Sequence, residues 1–181
     1  MNGKFVRAFL VLAFAIGVLG TNRLQATPAS GFTGTTVVMG TFGDINVFNS
    51  VVPPDFWKSW LKSDVWLSWQ KTKGNSDLYI QSNVWQVGAT TGWHSHPGHS
   101  LILITSGTVT NYESGHKGRG CTTQVYTGTP TQPATLVDEG GDHVHQIVNT
   151  GGTVATGYAV QLIPSGANRR IDAAQPENCP F

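Results

Sequence analysis

Six histidines are the residues best suited to carry chemistry, and four of them fall into two His-x-His pairs. His94 and His96 stand in Trp93-His94-Ser95-His96, and His143 and His145 in Asp142-His143-Val144-His145. Residues two apart on a strand project from the same face, so each pair presents two imidazoles to one side. Neutral imidazole is a good donor to zinc, copper, iron and nickel. A strand face carrying His94 and His96 is therefore two-thirds of a three-histidine metal site. A third candidate comes about 50 residues on, in the second pair, and a barrel can bring the two strands together across its interior. His99 is off the parity of Ser100, Ile102 and Ile104, which places it at a barrel mouth or on the outer surface unless the Pro97-Gly98 turn breaks the alternation. His116, in a Gly-Lys-Arg loop, reads as solvent-facing.

The elements that must hold these residues read as strands. From Thr35 onward, short runs rich in Val, Ile, Thr and aromatics are separated by glycine-containing turns such as Lys73-Gly74-Asn75 and Gly151-Gly152. Strands are expected over 65–71, 77–87, 92–96, 100–105, 109–112, 123–126, 134–137, 143–148 and 154–163. One short helix is expected at Pro54 to Lys62, where Phe56, Trp57, Trp60 and Leu61 share a face and Pro54 suits a first helical position. Neither an internal repeat nor a linker divides the chain. Its 12% charged residues, 22 glycines and formal net charge of +1 suit a compact β protein and argue against a nucleic-acid partner.

The segment from Gly88 to Gly107 carries more than a His-x-His pair. Gly88, His94, His96 and Gly107 keep the spacing of the first motif of the cupin superfamily, and His145 with Asn149 matches the ending of the second. Over roughly Leu78 to Ile163 the chain resembles that family. The resemblance implies an all-β double-stranded β-helix, the cupin jelly-roll barrel, with one divalent metal ion held inside by His94, His96 and His145. Two positions depart from the pattern. Ser100 stands where many cupins carry a metal-binding glutamate, and upstream of His145 the stretch Asp138, Gly140, Gly141 keeps register with His143 instead. Three neutral histidines leave the ion's full dipositive charge, which favours iron, zinc, copper or nickel over manganese. In such a site Ser100 would orient a ligand, and His143 is the first candidate for proton transfer, the alternative being a rim histidine bonded to a loop. Inward-facing partners are expected at Ser100, Ile102 and Ile104, with either Tyr158 or Gln161.

The chain ends add a cellular context. Lys4 and Arg7, the apolar run Ala8 to Gly20 and a cleavage site at Leu24-Gln25-Ala26 form a secretory signal, so a secreted or periplasmic location is expected, with no membrane anchor after its removal. Under oxidising conditions the two cysteines, Cys121 and Cys179, invite a disulfide, the alternative being two free thiols. The expected layout is a signal over 1–26, a strand-and-helix segment packing on the barrel over 27–76, the cupin barrel over 77–165 and a tethered tail over 166–181. Three functions fit this layout: a metalloenzyme acting on a small molecule, a non-catalytic protein that captures a small ligand or the metal, and an interaction domain that pairs as a homodimer. Three-histidine cupins that resemble it include thiol and diketone dioxygenases, and the fold alone assigns it to neither group.

Overall fold

Two long strands set the architecture. The computed structural model describes residues 26–51, 66–115 and 120–179. Its elements are β1 (Ser30–Phe42), β2 (Asn46–Val51), β3 (Trp66–Lys71), β4 (Ser76–Thr90), β5 (His94–Ser95), β6 (Ser100–Glu113), β7 (Thr122–Gly128), β8 (Ala134–Asp138), β9 (His145–Asn149), β10 (Ala155–Pro164) and β11 (Ile171–Asp172). No helix occurs among the described residues. The expected helix at Pro54 to Lys62, the signal region up to Gln25 and His116 lie outside them.

Strand β6 changes partners halfway along. Its first residues, Ser100 to Ile104, lie between β10 and β8, whereas Val109 to Glu113 lie between β9 and β7. The change of sheet falls at Gly107, whose φ of 78° favours glycine. A Cβ there would also lie 2.7 Å from the Ala155 Cα, so a side chain has no room. Strand β4 behaves likewise. Ser76 to Trp85 pair with β10, Thr90 pairs with Val148 of β9, and Gly88 between them has a φ of 72°. The pairings β4–β10, β10–β6, β6–β9 and β9–β4 thus close a ring. The two motif glycines are corners of the barrel, and the fold is the double-stranded β-helix that the resemblance implies.

Alternation fills the interior. Along β6, Ser100, Ile102 and Ile104 are buried while Leu101 and Leu103 are exposed, the inside-outside pattern of a one-sided strand. Ile102 and Ile104 join Trp85, Val109, Leu136, Ile147 and Ala155 in the core. Asn149, the last motif residue, is a latch rather than a ligand. Its Nδ2 donates to the carbonyls of Trp85 and Thr153, and its Oδ1 accepts from the Gly151 amide, so one buried side chain ties β9 to β4 and shapes the β9–β10 turn.

The flanking segments are part of this structure. β1 pairs with β4 along almost its whole length and extends the same sheet. β2 and β3 form a separate hairpin. The runs expected at 100–105 and 109–112 are one strand, because Gly107 bends the chain without ending the pairing. Cys121 and Cys179 form the disulfide, closing a separation of 58 residues and tying the tail to the start of β7. No helix among the described residues is long and apolar enough to cross a membrane.

A three-histidine cluster inside the barrel

His94 and His145 are direct cross-strand partners, on β5 and β9. His96 follows two residues after His94, on the same side of the chain. The three imidazoles converge, with ring centroids 4.4 Å (His94–His145), 4.8 Å (His94–His96) and 5.4 Å (His96–His145) apart. One ring nitrogen from each lies within 4.8 Å of the others, the spacing expected of ligands sharing one ion. This is the set that the resemblance implies.

Hydrogen bonds choose the free nitrogen of two rings. His94 Nδ1 donates to the Gly92 carbonyl at 2.8 Å, and His96 Nδ1 donates to the Arg169 carbonyl. Each bond fixes a tautomer whose Nε2 lone pair is left for a ligand. His145 differs. It is 2% exposed, and neither of its ring nitrogens has a hydrogen-bond partner among the described residues. An unpartnered buried imidazole is costly. One metal ion accepting the three lone pairs removes that cost, so these residues fit a divalent transition ion.

Burial also keeps the rings neutral. It pushes the His94 imidazole from an ordinary value near 6.5 to about 2 and the His145 imidazole to about 4, and lowers His96 as well. For all three the folded-state value lies below the unfolded one, so their contribution to stability is complete above about pH 6.5 and is lost as pH falls through the folded values. The metal-free protein is therefore expected to melt at a distinctly lower temperature at pH 4.5 than at pH 7.5. A melting temperature independent of pH across that interval would contradict neutral burial.

A carboxylate that the sequence reading did not find stands next to the glutamate position. Ser100, at the glutamate position, is buried and faces Asp138 across the β6–β8 ladder. Its Oγ donates to Asp138 Oδ2 at 3.1 Å, and the Gly140 amide donates to Oδ1 at 3.0 Å. The same carboxylate lies 3.4 Å from His145 Nδ1 and 3.6 Å from His96 Nε2. Asp138 does not belong to the cluster of mutually close ligand atoms. It stands beside the Nδ1 edge of His145 without a hydrogen bond to it, near the place of the carboxylate that commonly accompanies a metal-bound histidine. The signal was present in Asp138-Glu139-Gly140-Gly141 but reads there as a disturbed turn. Only the pairing of β8 with β6 brings Asp138 to Ser100.

The tail completes the site. Ile171 and Asp172 pair with Ser95 and His94. Arg169 forms the wall beside them. Its Nε donates to Gln161 at 3.1 Å, its terminal nitrogens donate to Thr36 at 2.8 Å and Gln81 at 2.6 Å, and its guanidinium stacks on Tyr79 at 4.2 Å. A cavity of about 260 Å³ remains in front of the histidines, lined by Phe32, Trp85, Ile102, Ile147 and Ala159 on its apolar side and by Ser100, Gln161, Arg169 and Arg170 among its polar residues. Of the two residues expected on β10, Gln161 faces this cavity, whereas Tyr158 is exposed.

His99 and His143 lie elsewhere. His99 is exposed, as its parity requires. His143 is outside the cavity lining, with Nδ1 2.9 Å from Glu113 and Nε2 3.3 Å from Glu139. Its shared parity with His145 fails as a guide because β9 begins only at His145. His143 belongs to the preceding turn, where alternation does not apply.

No known family model and no curated protein matches the sequence. Solved structures similar to this chain include Peruvianin-I, a cysteine peptidase from Thevetia peruviana latex, with 22% identity and a TM-score of 0.45 over 54% of this chain and 57% of that one. A cupin superfamily protein from Desulfitobacterium hafniense matches at 15% identity and a TM-score of 0.38, over 48% and 67% of the two chains. A cupin-like protein from Thermotoga maritima matches at 14% identity and a TM-score of 0.41, over 54% and 65%. The match to the first of these covers less than two thirds of that protein's length. The double-stranded β-helix architecture of this chain rests on its own closed barrel and its corner glycines.

Proposed function

We propose that this barrel is an exported, metal-dependent cupin that binds one transition metal ion through His94, His96 and His145 and acts on a small molecule in the adjoining cavity. The observation that carries this reading is the pair of orphaned nitrogens on buried His145, beside two imidazoles whose Nδ1 atoms are already engaged. A divalent ion held there supplies Lewis-acid polarisation and, if it is iron or copper, redox capacity. The protein supplies the rest. Trp85, Ile102 and Ile147 keep the cavity wall apolar, and Ser100, held by Asp138, offers a fixed hydroxyl for orienting a ligand. His143 is kept as a proton-transfer candidate only by way of the rim, since Glu113 and Glu139 engage both ring nitrogens.

A second reading has its own observation. Among the described residues lining the cavity, no imidazole is spare beyond the three in the cluster, and Asp138 is committed to Ser100 and Gly140. That arrangement suits a protein that captures a ligand without transforming it. The fused test is elemental analysis of protein recovered from the outer compartment, followed by a turnover screen on the same sample. About one iron, copper, zinc or nickel per chain with product formation supports the enzyme; the same metal content with tight binding and no product supports the capture protein. Absence of any transition metal defeats the metalloenzyme and leaves a metal-free ligand-binding barrel. Export and pairing through the edge strand β1, which exposes Val37, Val38 and Met39, belong to the same proposal and are read on that sample by N-terminal sequencing and sedimentation.

A further inference from the structure

Arg169 and Arg170 are neighbours in sequence and differ in what their guanidinium groups do. Arg169 spends every nitrogen on the protein, bonding Gln161, Thr36 and Gln81 and stacking on Tyr79. Arg170 donates only its Nε, to Asp172, and no partner of its two terminal nitrogens occurs among the described residues. Its side chain is 30% exposed, whereas His94 and His145 beyond it are buried, so it stands on the solvent side of the cavity it lines.

The charges around that cavity are one-sided. Arg169 and Arg170 are the charged side chains on its wall among the described residues, and the carboxylate of Asp138 is not part of the lining. The charge opposing Arg170 is Asp172, which is 58% exposed and therefore well solvated. A guanidinium with a free terminal pair matches a carboxylate bidentately. The cavity, at about 260 Å³, suits a small ligand, and Phe32, Trp85, Ile102, Ile147 and Ala159 give it an apolar face.

We propose that Arg170 anchors a carboxylate, so that the molecule entering this cavity is a small organic acid whose uncharged part lies against Phe32, Trp85 and Ile102. The inference deepens the functional reading above, yet the anchoring requires neither metal nor turnover. The test is calorimetric titration of acetate, oxalate, malonate and succinate, and of acetamide, oxamide, malonamide and succinamide, into protein whose metal content is assayed in parallel. At least one acid is expected to bind about tenfold or more tightly than its amide, and Arg170→Gln is expected to remove that preference without changing metal content. Asp172→Asn, which removes the competing carboxylate, is expected to tighten binding of the same acid and decides the matter if Arg170→Gln does not fold. Equal binding of acids and amides, acid binding unchanged in Arg170→Gln, affinity unchanged in Asp172→Asn, or failure of all four acids to bind overturns the proposal. Failure of the metal-dependent reading is separate, because it registers in the metal assay.

Discussion

Replacing His94 and His96 together by alanine is expected to take the metal content from about one ion per chain to nearly none. Three donors from two strands converge at this point, and removing two leaves His145 as a lone imidazole that cannot compete with buffer or water for the ion. The fold should survive. The core residues Trp85, Ile104, Val109 and Ile147 belong to the closed ring rather than to β5, and the variant exchanges two hard-to-bury imidazoles for methyl groups. Elemental analysis reads the loss, and a melting curve guards against a folding artefact. A double variant that keeps its metal would place the ion elsewhere and remove the central claim. The result also bears on acid stability, because a chain with fewer buried imidazoles should lose less stability between pH 7.5 and 4.5.

Asp138→Asn is expected to weaken metal binding about 10- to 100-fold while leaving all three histidines in place. The amide is nearly isosteric with the carboxylate, so packing in this 4%-exposed position is conserved. What changes is electrostatic. The carboxylate accepts from Ser100 and from the Gly140 amide and faces His145 Nδ1 and His96 Nε2. An amide group loses the negative charge and must turn an NH2 toward one of those donors. The His145 ring then loses the negative charge 3.4 Å from its Nδ1, which raises its donor strength. Competition against a chelator of known affinity measures the change, with the melting temperature as a control for folding. Unchanged affinity would reduce Asp138 to a structural acceptor for Ser100 and leave the site a bare three-histidine set.

Much of the site was legible because the relevant periodicity is short. A period of two residues assigns His94 and His96 to one face, Ser100, Ile102 and Ile104 to the interior, and His99 to the outside, and the structure keeps all of these assignments. The same rule misled at His143, where the strand had not yet begun. The spacing of Gly88 and Gly107 was legible as a motif, although its meaning, two chain corners with left-handed backbone, emerged only from the pairing of β4 and β6 with two sets of partners.

The sequence by itself determined an all-β chain, the shared face of His94 and His96, the absence of a glutamate at position 100 and the two cysteines available to bridge. Each follows from residue identity or from a pattern a few residues long. Tertiary structure alone decided that Asp138 takes over behind Ser100, that Arg169 orients His96 through its carbonyl, and that the tail lines the cavity with Arg170. These contacts join residues 38 to 73 positions apart, and no local pattern encodes which strand edge a segment will find. That choice is made by closure of the barrel, when β8 pairs with β6 and β11 with β5, and it gives the site both its carboxylate and its cation.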